Sequence, residues 1–109
     1  MAWNVIFFES KRGEKFVEVF IKNLDSSTIA KVAHEIDLLE KHGPFVGMPH
    51  SKKITAELYE LRIRGKQEVR IIYAFVKENI YLLHAFKKKK QRISIKEINT
   101  AYKRLQTLT

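Results

Sequence analysis

The side chains best suited to chemistry in this sequence are cations at short spacings. Arg62 and Arg64 lie two residues apart in an alternating stretch and so share one face of a strand. Arg70 follows the turn candidate Gly65-Lys66-Gln67, and an antiparallel hairpin would bring it beside Arg62 or Arg64. Guanidiniums gathered this closely repel one another unless an acid or an anion bridges them. Two readings stay open. Either Glu60 and Glu68 neutralise the arginines, or the arginines clamp a phosphate, whose oxygens suit their bidentate fork. A second set, Lys87-Lys88-Lys89-Lys90-Gln91-Arg92, begins directly after an apolar strand pattern and ends before a helix cap. Its first residues are therefore held at the edge of a sheet rather than on a tail.

Such groups suit cleavage of RNA, which needs no metal. The ribose 2′-OH attacks the adjacent phosphate, a base removes its proton, an acid protonates the leaving 5′-oxygen, and cations stabilise the crowded phosphate. A lysine among other cations can serve as acid or base near neutrality. Tyr73 and Phe86 could stack on a base or lie in the core. His84 is the one imidazole in the strand region, and simple alternation places it with Leu82 and Phe86, as a buried residue. The remaining histidines, His34, His42 and His50, do not have zinc-site spacing. There is no cysteine, no HExxH, no GxxxxGK[ST] and no GxGxxG. No acidic cluster for Mg²⁺ stands in the basic half. Neither a metal nor a cofactor is expected.

The 109 residues suit one domain, 1–109. Residues 1–49 hold six basic and seven acidic residues, a net of −1, whereas residues 50–109 hold 15 basic and five acidic, a net of +10. A charge so polarised implies an anionic partner, nucleic acid foremost. The apolar run Val5-Ile6-Phe7-Phe8 is too short to span a bilayer or to form a signal-peptide core, so a cytoplasmic protein with no membrane contact is expected.

The elements that must position these cations can be read from periodicity. Trp3–Phe8 predicts a strand. Phe16, Val17, Phe20, Ile21 and Leu24 mark a short helix, with Asp25, Ser26 or Ser27 capping a second one through Ile29, Val32, Ala33, Ile36 and Leu39. His42-Gly43-Pro44 stops it. Phe45–Lys53 reads as a loop. Three strands follow, Tyr59 to Arg64, Val69–Val76 (nearly all apolar, hence central) and Ile80–Phe86. Ser94 and Glu97 fit a capping box before a last amphipathic helix. The expected fold is α+β: an N-terminal strand and helical hairpin, an antiparallel β-meander and a C-terminal helix, with one face of the sheet left open for a site.

The series Leu58-Tyr59-Glu60-Leu61-Arg62-Ile63, Val69 through Phe75, Tyr81 through Lys89, Glu97-Ile98 and Ala101 through Arg104 resembles the phage-derived Gp49-like branch of the HigB toxins, within the RelE/ParE toxin superfamily. The resemblance runs over nearly the whole chain. It implies a RelE-like fold and a toxin of a type II toxin–antitoxin system. The activity implied is that of an mRNA interferase, an endoribonuclease acting on mRNA in the ribosomal A site. The implied partner is a helix-turn-helix antitoxin of the HigA-like kind. Carried onto this sequence, the resemblance makes Arg62, Arg70, Lys87 and Lys88 the catalytic candidates, with Arg70 at the scissile phosphate. Arg64, Phe86, Lys89, Lys90 and Arg92 become the RNA-binding candidates. Ile93 and Ile95 stand where some relatives carry a catalytic tyrosine, and lysines replace the His–Asp arrangement of other HigB proteins, so the general base is left unassigned. The ParE side of the superfamily poisons gyrase, and a non-catalytic basic binding module is the third reading.

Overall fold

The computed structural model describes residues 2–108. Nine-residue strands form the middle of a five-stranded sheet: β4 (Glu68–Val76) and β5 (Asn79–Lys87). They are flanked by β3 (Tyr59–Arg64), β2 (Ser51–Lys53) and β1 (Asn4–Phe7) in the order β1-β5-β4-β3-β2. β2 through β5 pair antiparallel in succession, and β1 pairs parallel with β5. The short turn at 65–67 fixes the register of β3 and β4, which sets Arg62 directly opposite Arg70 and Arg64 opposite Glu68.

Helices cover both faces. α1 (Phe16–Lys22) and α2 (Ser26–His42) bury Val17, Ile21, Val32 and Leu39 against Leu61, Ile63, Val69, Ile71 and Leu82. Asp25 caps α2, accepting from the Thr28 amide, and bonds from Ser27 and Thr28 hold its carboxyl well below the usual range. Gly43 ends α2 at φ 51°, pressed against Trp3 so that a Cβ there would collide with the indole. On the other face, α3 (Ile95–Gln106) packs Ala101 and Leu105 against Phe8, Ile72, Leu83 and Phe86. α3 lies over β4 and β5, and the β2–β3 end of that face carries an open hollow.

Three expectations need correction. The segment Phe45–Lys53 is not all loop, because Ser51–Lys53 forms edge strand β2, pairing Ser51 with Leu61 and Lys53 with Tyr59. The meander accordingly has four antiparallel strands rather than three. The capping box is half made: Ser94 accepts from the Glu97 amide, while the Glu97 carboxylate turns to His84 instead. The third concerns His84, whose place a β-bulge decides. Ile72 pairs with His84 and Tyr73 with Leu82, leaving Leu83 as the extra residue. Leu83 and His84 therefore both sit on the α3 side with Phe86, while Leu82 faces the helical hairpin. His84 is half-buried, not a core residue.

Candidate nucleic-acid interface

Because β4 is the middle strand, a side chain on its α3 face is walled by both neighbours. Arg70 stands there between Arg62 on β3 and Phe86 on β5 and is only 2% exposed. Two carboxylates hold it. Arg62 Nε donates to Glu60 Oε1 at 3.0 Å, Arg70 Nε lies 3.9 Å from Glu60 Oε2, and Arg70 Nη2 donates to Glu68 Oε2 at 3.4 Å. Arg70 Nη1 donates to the Val69 carbonyl at 3.2 Å. Burial lowers the Arg70 guanidinium's pKa, and Arg62 and Arg64 add to that, while Glu60 and Glu68 oppose it. Among the described residues Glu60 Oε2 and Arg70 Nε are both buried without a hydrogen-bond partner, so the centre of this cluster is charge-paired but not fully bonded.

Above that centre the surface is basic. Lys52 and Lys53 from β2, Arg62 from β3, Lys88, Gln91 and Arg92 from the β5–α3 connection surround a depression of about 250 Å³, with Glu60 on its floor. Lys88 and Arg92 also wall an adjoining hollow of about 230 Å³ with Phe86, Lys87, Lys89, Lys90 and Glu97. The start of the lysine run is fixed by the ladder, since Lys87 closes β5 and the Lys88 amide donates to the Glu68 carbonyl at 2.9 Å. The two hollows share Lys88 and Arg92 and are together termed the groove, which runs from the β2–β3 end of the sheet to the β5–α3 connection. The arrangement can hold a polyanion and concentrate positive potential on a phosphate.

The candidate residues fall into three places. Arg62, Lys87, Lys88, Lys89, Lys90 and Arg92 line the groove. Arg70 lies beneath it, and Phe86, 9% exposed, forms its wall with His84 stacked on the ring at 5.6 Å. Arg64 is elsewhere, in a hollow between α2 and the loop before β2 that also contains Lys31, His34, Glu35 and His50. Lys52 and Lys53 were missed. Only the pairing of β2 brings them to the groove, although the dipeptide itself was visible as charge.

His84 has both ring nitrogens engaged. Arg104 Nη1, which can only donate, reaches Nδ1 at 3.4 Å, so Nε2 carries the proton and donates to Glu97 Oε1 at 2.9 Å. Arg104 itself lies 4.3 Å from the Phe16 ring centroid and donates to the Leu83 carbonyl at 2.8 Å, tying α3 to the bulge. Tyr73 is core, its hydroxyl bonded to Ser51 and its pKa pushed up to about 12 by burial.

Residues 19–106 match the family described as phage-derived protein Gp49-like (DUF891). The chain belongs to this family. The Gp49-like proteins are a RelE/toxin-like group, and the sheet, hairpin and C-terminal helix seen here are consistent with a RelE-like fold. No curated protein matches the chain. Among the described residues no helix is long and apolar enough to cross a membrane.

Proposed function

We propose that this Gp49-like protein is the toxin of a type II toxin–antitoxin system and a metal-independent mRNA endoribonuclease, cutting ribosome-bound mRNA in the cytoplasm. The observation that carries this reading is the cross-strand pair Arg62–Arg70, with Arg62 lining and Arg70 beneath a groove also lined by Lys52, Lys88 and Arg92. An RNA strand in the groove places its phosphodiester over the Arg62 edge of a charge cluster that the fold holds rigid. Cations there stabilise the extra negative charge of the five-coordinate phosphate, worth several kcal/mol when the donors are preorganised. The ribose 2′-OH supplies the nucleophile, so neither a bound metal nor a cofactor is needed for the step. An antitoxin of the helix-turn-helix kind would silence the site by covering the groove with an acidic segment, since complementary charge steers such pairing.

The test is primer extension on a reporter mRNA in a translation extract, wild type against Arg62→Ala, with naked RNA in EDTA alongside. Cuts confined to translated RNA and absent in the variant support the reading. Cuts in naked RNA keep the nuclease and remove the ribosome. No cuts from a folded wild-type chain overturn it, and inhibition of gyrase supercoiling would then place the protein with the ParE-like poisons.

A further inference from the structure

Apart from its lysines, the carboxylates and the imidazole described at the groove are each engaged by a neighbour. Glu60 is enclosed between two guanidiniums, Glu97 is occupied by His84, and His84 has no free nitrogen. One imidazole differs. In the hollow of about 260 Å³ on the other side of β3, lined by Lys31, His34, Glu35, His50, Arg62 and Arg64, His50 Nδ1 donates to Glu35 Oε1 at 2.8 Å. Glu35, on α2, is 8% exposed, so its carboxylate is fixed by packing. An ionised carboxylate only accepts, which keeps the proton on Nδ1 and directs the Nε2 lone pair outward. Nε2 has no hydrogen-bond partner among the described residues, and the His50 side chain is 43% exposed. The ring is also anchored to the groove through the backbone, because the Arg62 amide donates to the His50 carbonyl at 2.8 Å. Arg62 lines both hollows.

Taking the endoribonuclease reading as its premise, we propose that His50, oriented by Glu35, is the catalytic proton acceptor for an RNA strand that crosses the sheet edge past Arg62. His50 Nε2 takes the 2′-OH proton, the 2′-oxygen bonds to the adjacent phosphorus, and the P–O5′ bond breaks. The 5′-oxygen leaves with that electron pair and takes a proton from water. The products are a 2′,3′-cyclic phosphate and a 5′-hydroxyl, and no oxidant or co-reactant enters. The charged groups facing His50 are Glu35, Lys31 and His34 from α2, and Arg62 and Arg64 from β3. Lys31 is committed to the Arg64 carbonyl at 3.0 Å.

The alternative is that His50 only satisfies a buried carboxylate, and His50→Gln separates the two. A glutamine amide still donates to Glu35 but cannot take up a proton. Single-turnover cutting of a reporter mRNA on purified ribosomes is measured from acid to neutral pH. The expected result is a melting temperature close to wild type and a rate lower by about 10²–10⁴-fold. The acid limb of the pH profile should vanish with it. If glutamine at 50 unfolds the chain, His50→Ala with added imidazole decides, and a rate that rises with free-base imidazole supports the proposal. A His50→Gln rate within about threefold of wild type, a wild-type pH profile in the variant, loss of the acid limb in His34→Gln instead, or no imidazole rescue overturns it. If Arg62→Ala abolishes cutting while His50→Gln cuts normally, the endoribonuclease reading survives and this proposal does not. If the wild type makes no cut, both fall.

Discussion

Glu60→Gln is the perturbation that most directly tests how the arginine pair is held. Glu60 is 3% exposed, 3.0 Å from Arg62 and 3.9 Å from Arg70. At an effective dielectric constant of about 20 these separations correspond to gross attractions of about 5.5 and about 4.3 kcal/mol, of which desolvation of the ions offsets the greater part. Removing the one charge leaves two guanidiniums opposed across β3 and β4. Breaking a buried pair from one side costs about 3–5 kcal/mol, a large share of the about 5–15 kcal/mol expected for a domain. Glutamine keeps the shape and one acceptor, so the loss should fall near the lower figure, about 3 kcal/mol, and the melting temperature should drop by at least about 10 °C. Inorganic phosphate should then raise the variant's melting temperature more than the wild type's, because an anion can replace the missing carboxylate. The double variant Glu60→Gln/Arg70→Met should recover most of the loss, the buried charges having gone together. Differential scanning calorimetry with and without phosphate reads all three. A drop below about 2 °C, or equal phosphate shifts in variant and wild type, would refute the view that Glu60 restrains an anion-seeking arginine pair.

Lys88→Ala and Arg92→Ala should each weaken binding of a labelled single-stranded RNA and flatten the log Kd against log salt slope by about 0.7; an unchanged slope in anisotropy titrations removes the residue from the groove. Ser94→Ala should cost about 0.5–2 kcal/mol in urea unfolding through the lost α3 cap, and no loss would mean that the amide bond at 3.4 Å contributes nothing. Tyr73, raised by burial from 10.0 to about 12, contributes stability that is fully present below pH 10 and lost as pH rises towards 12, because the unfolded chain gives up the proton first. The loss should total about 2–3 kcal/mol and disappear in Tyr73→Phe, as followed by urea midpoints at pH 9 to 12.

What could be read from sequence depended on how local the signal was. α2 and α3 carry long 3.6-residue patterns with caps in place, and the structure repeats them at Asp25 and Ser94. That Arg70 meets an arginine of β3 was legible for a similar reason, since a three-residue turn leaves little choice of register, whereas the choice of Arg62 over Arg64 is settled by the ladder itself. β2 was not, because three residues are too few to show a period and two are lysines, poor strand formers whose place depends on Leu61 and Tyr59 across the ladder. Alternation also fails at a bulge. One extra residue at Leu83 reverses the faces before it relative to those after it, which is why His84 and Leu82 part company. The apolar run of β4 marked it as central, as the sheet order bears out, but the depth of Arg70 within it depends on Arg62 and Phe86 across the two ladders, which no single segment contains. The Glu35–His50 bond joins a helix to a loop 15 residues on and left no pattern to find.

The arrangement of charge explains how a half-chain with a net of +10 folds and still attracts an anion. Most inner cations and imidazoles have a carboxylate of the chain's own: Arg62 and Arg70 share Glu60, Arg70 also meets Glu68, His50 meets Glu35, and His84 meets Glu97, while Arg104 is held instead by the Leu83 carbonyl and the Phe16 ring. The outer cations Lys52, Lys87, Lys89, Lys90 and Arg92 are exposed and have no ion pair among the described residues. The division follows from solvation. Buried charge is tolerable only when paired, whereas exposed lysines stay hydrated and cost the fold little. The inner ring therefore sets geometry and the outer ring sets attraction, which reaches only about a Debye length, near 8 Å at physiological salt. A polyanion is drawn to the groove by the outer lysines and positioned by arginines whose places the fold has already fixed. Neutralising outer lysines should accordingly slow encounter and soften the salt dependence, while substitutions at the inner acids should change stability and geometry first.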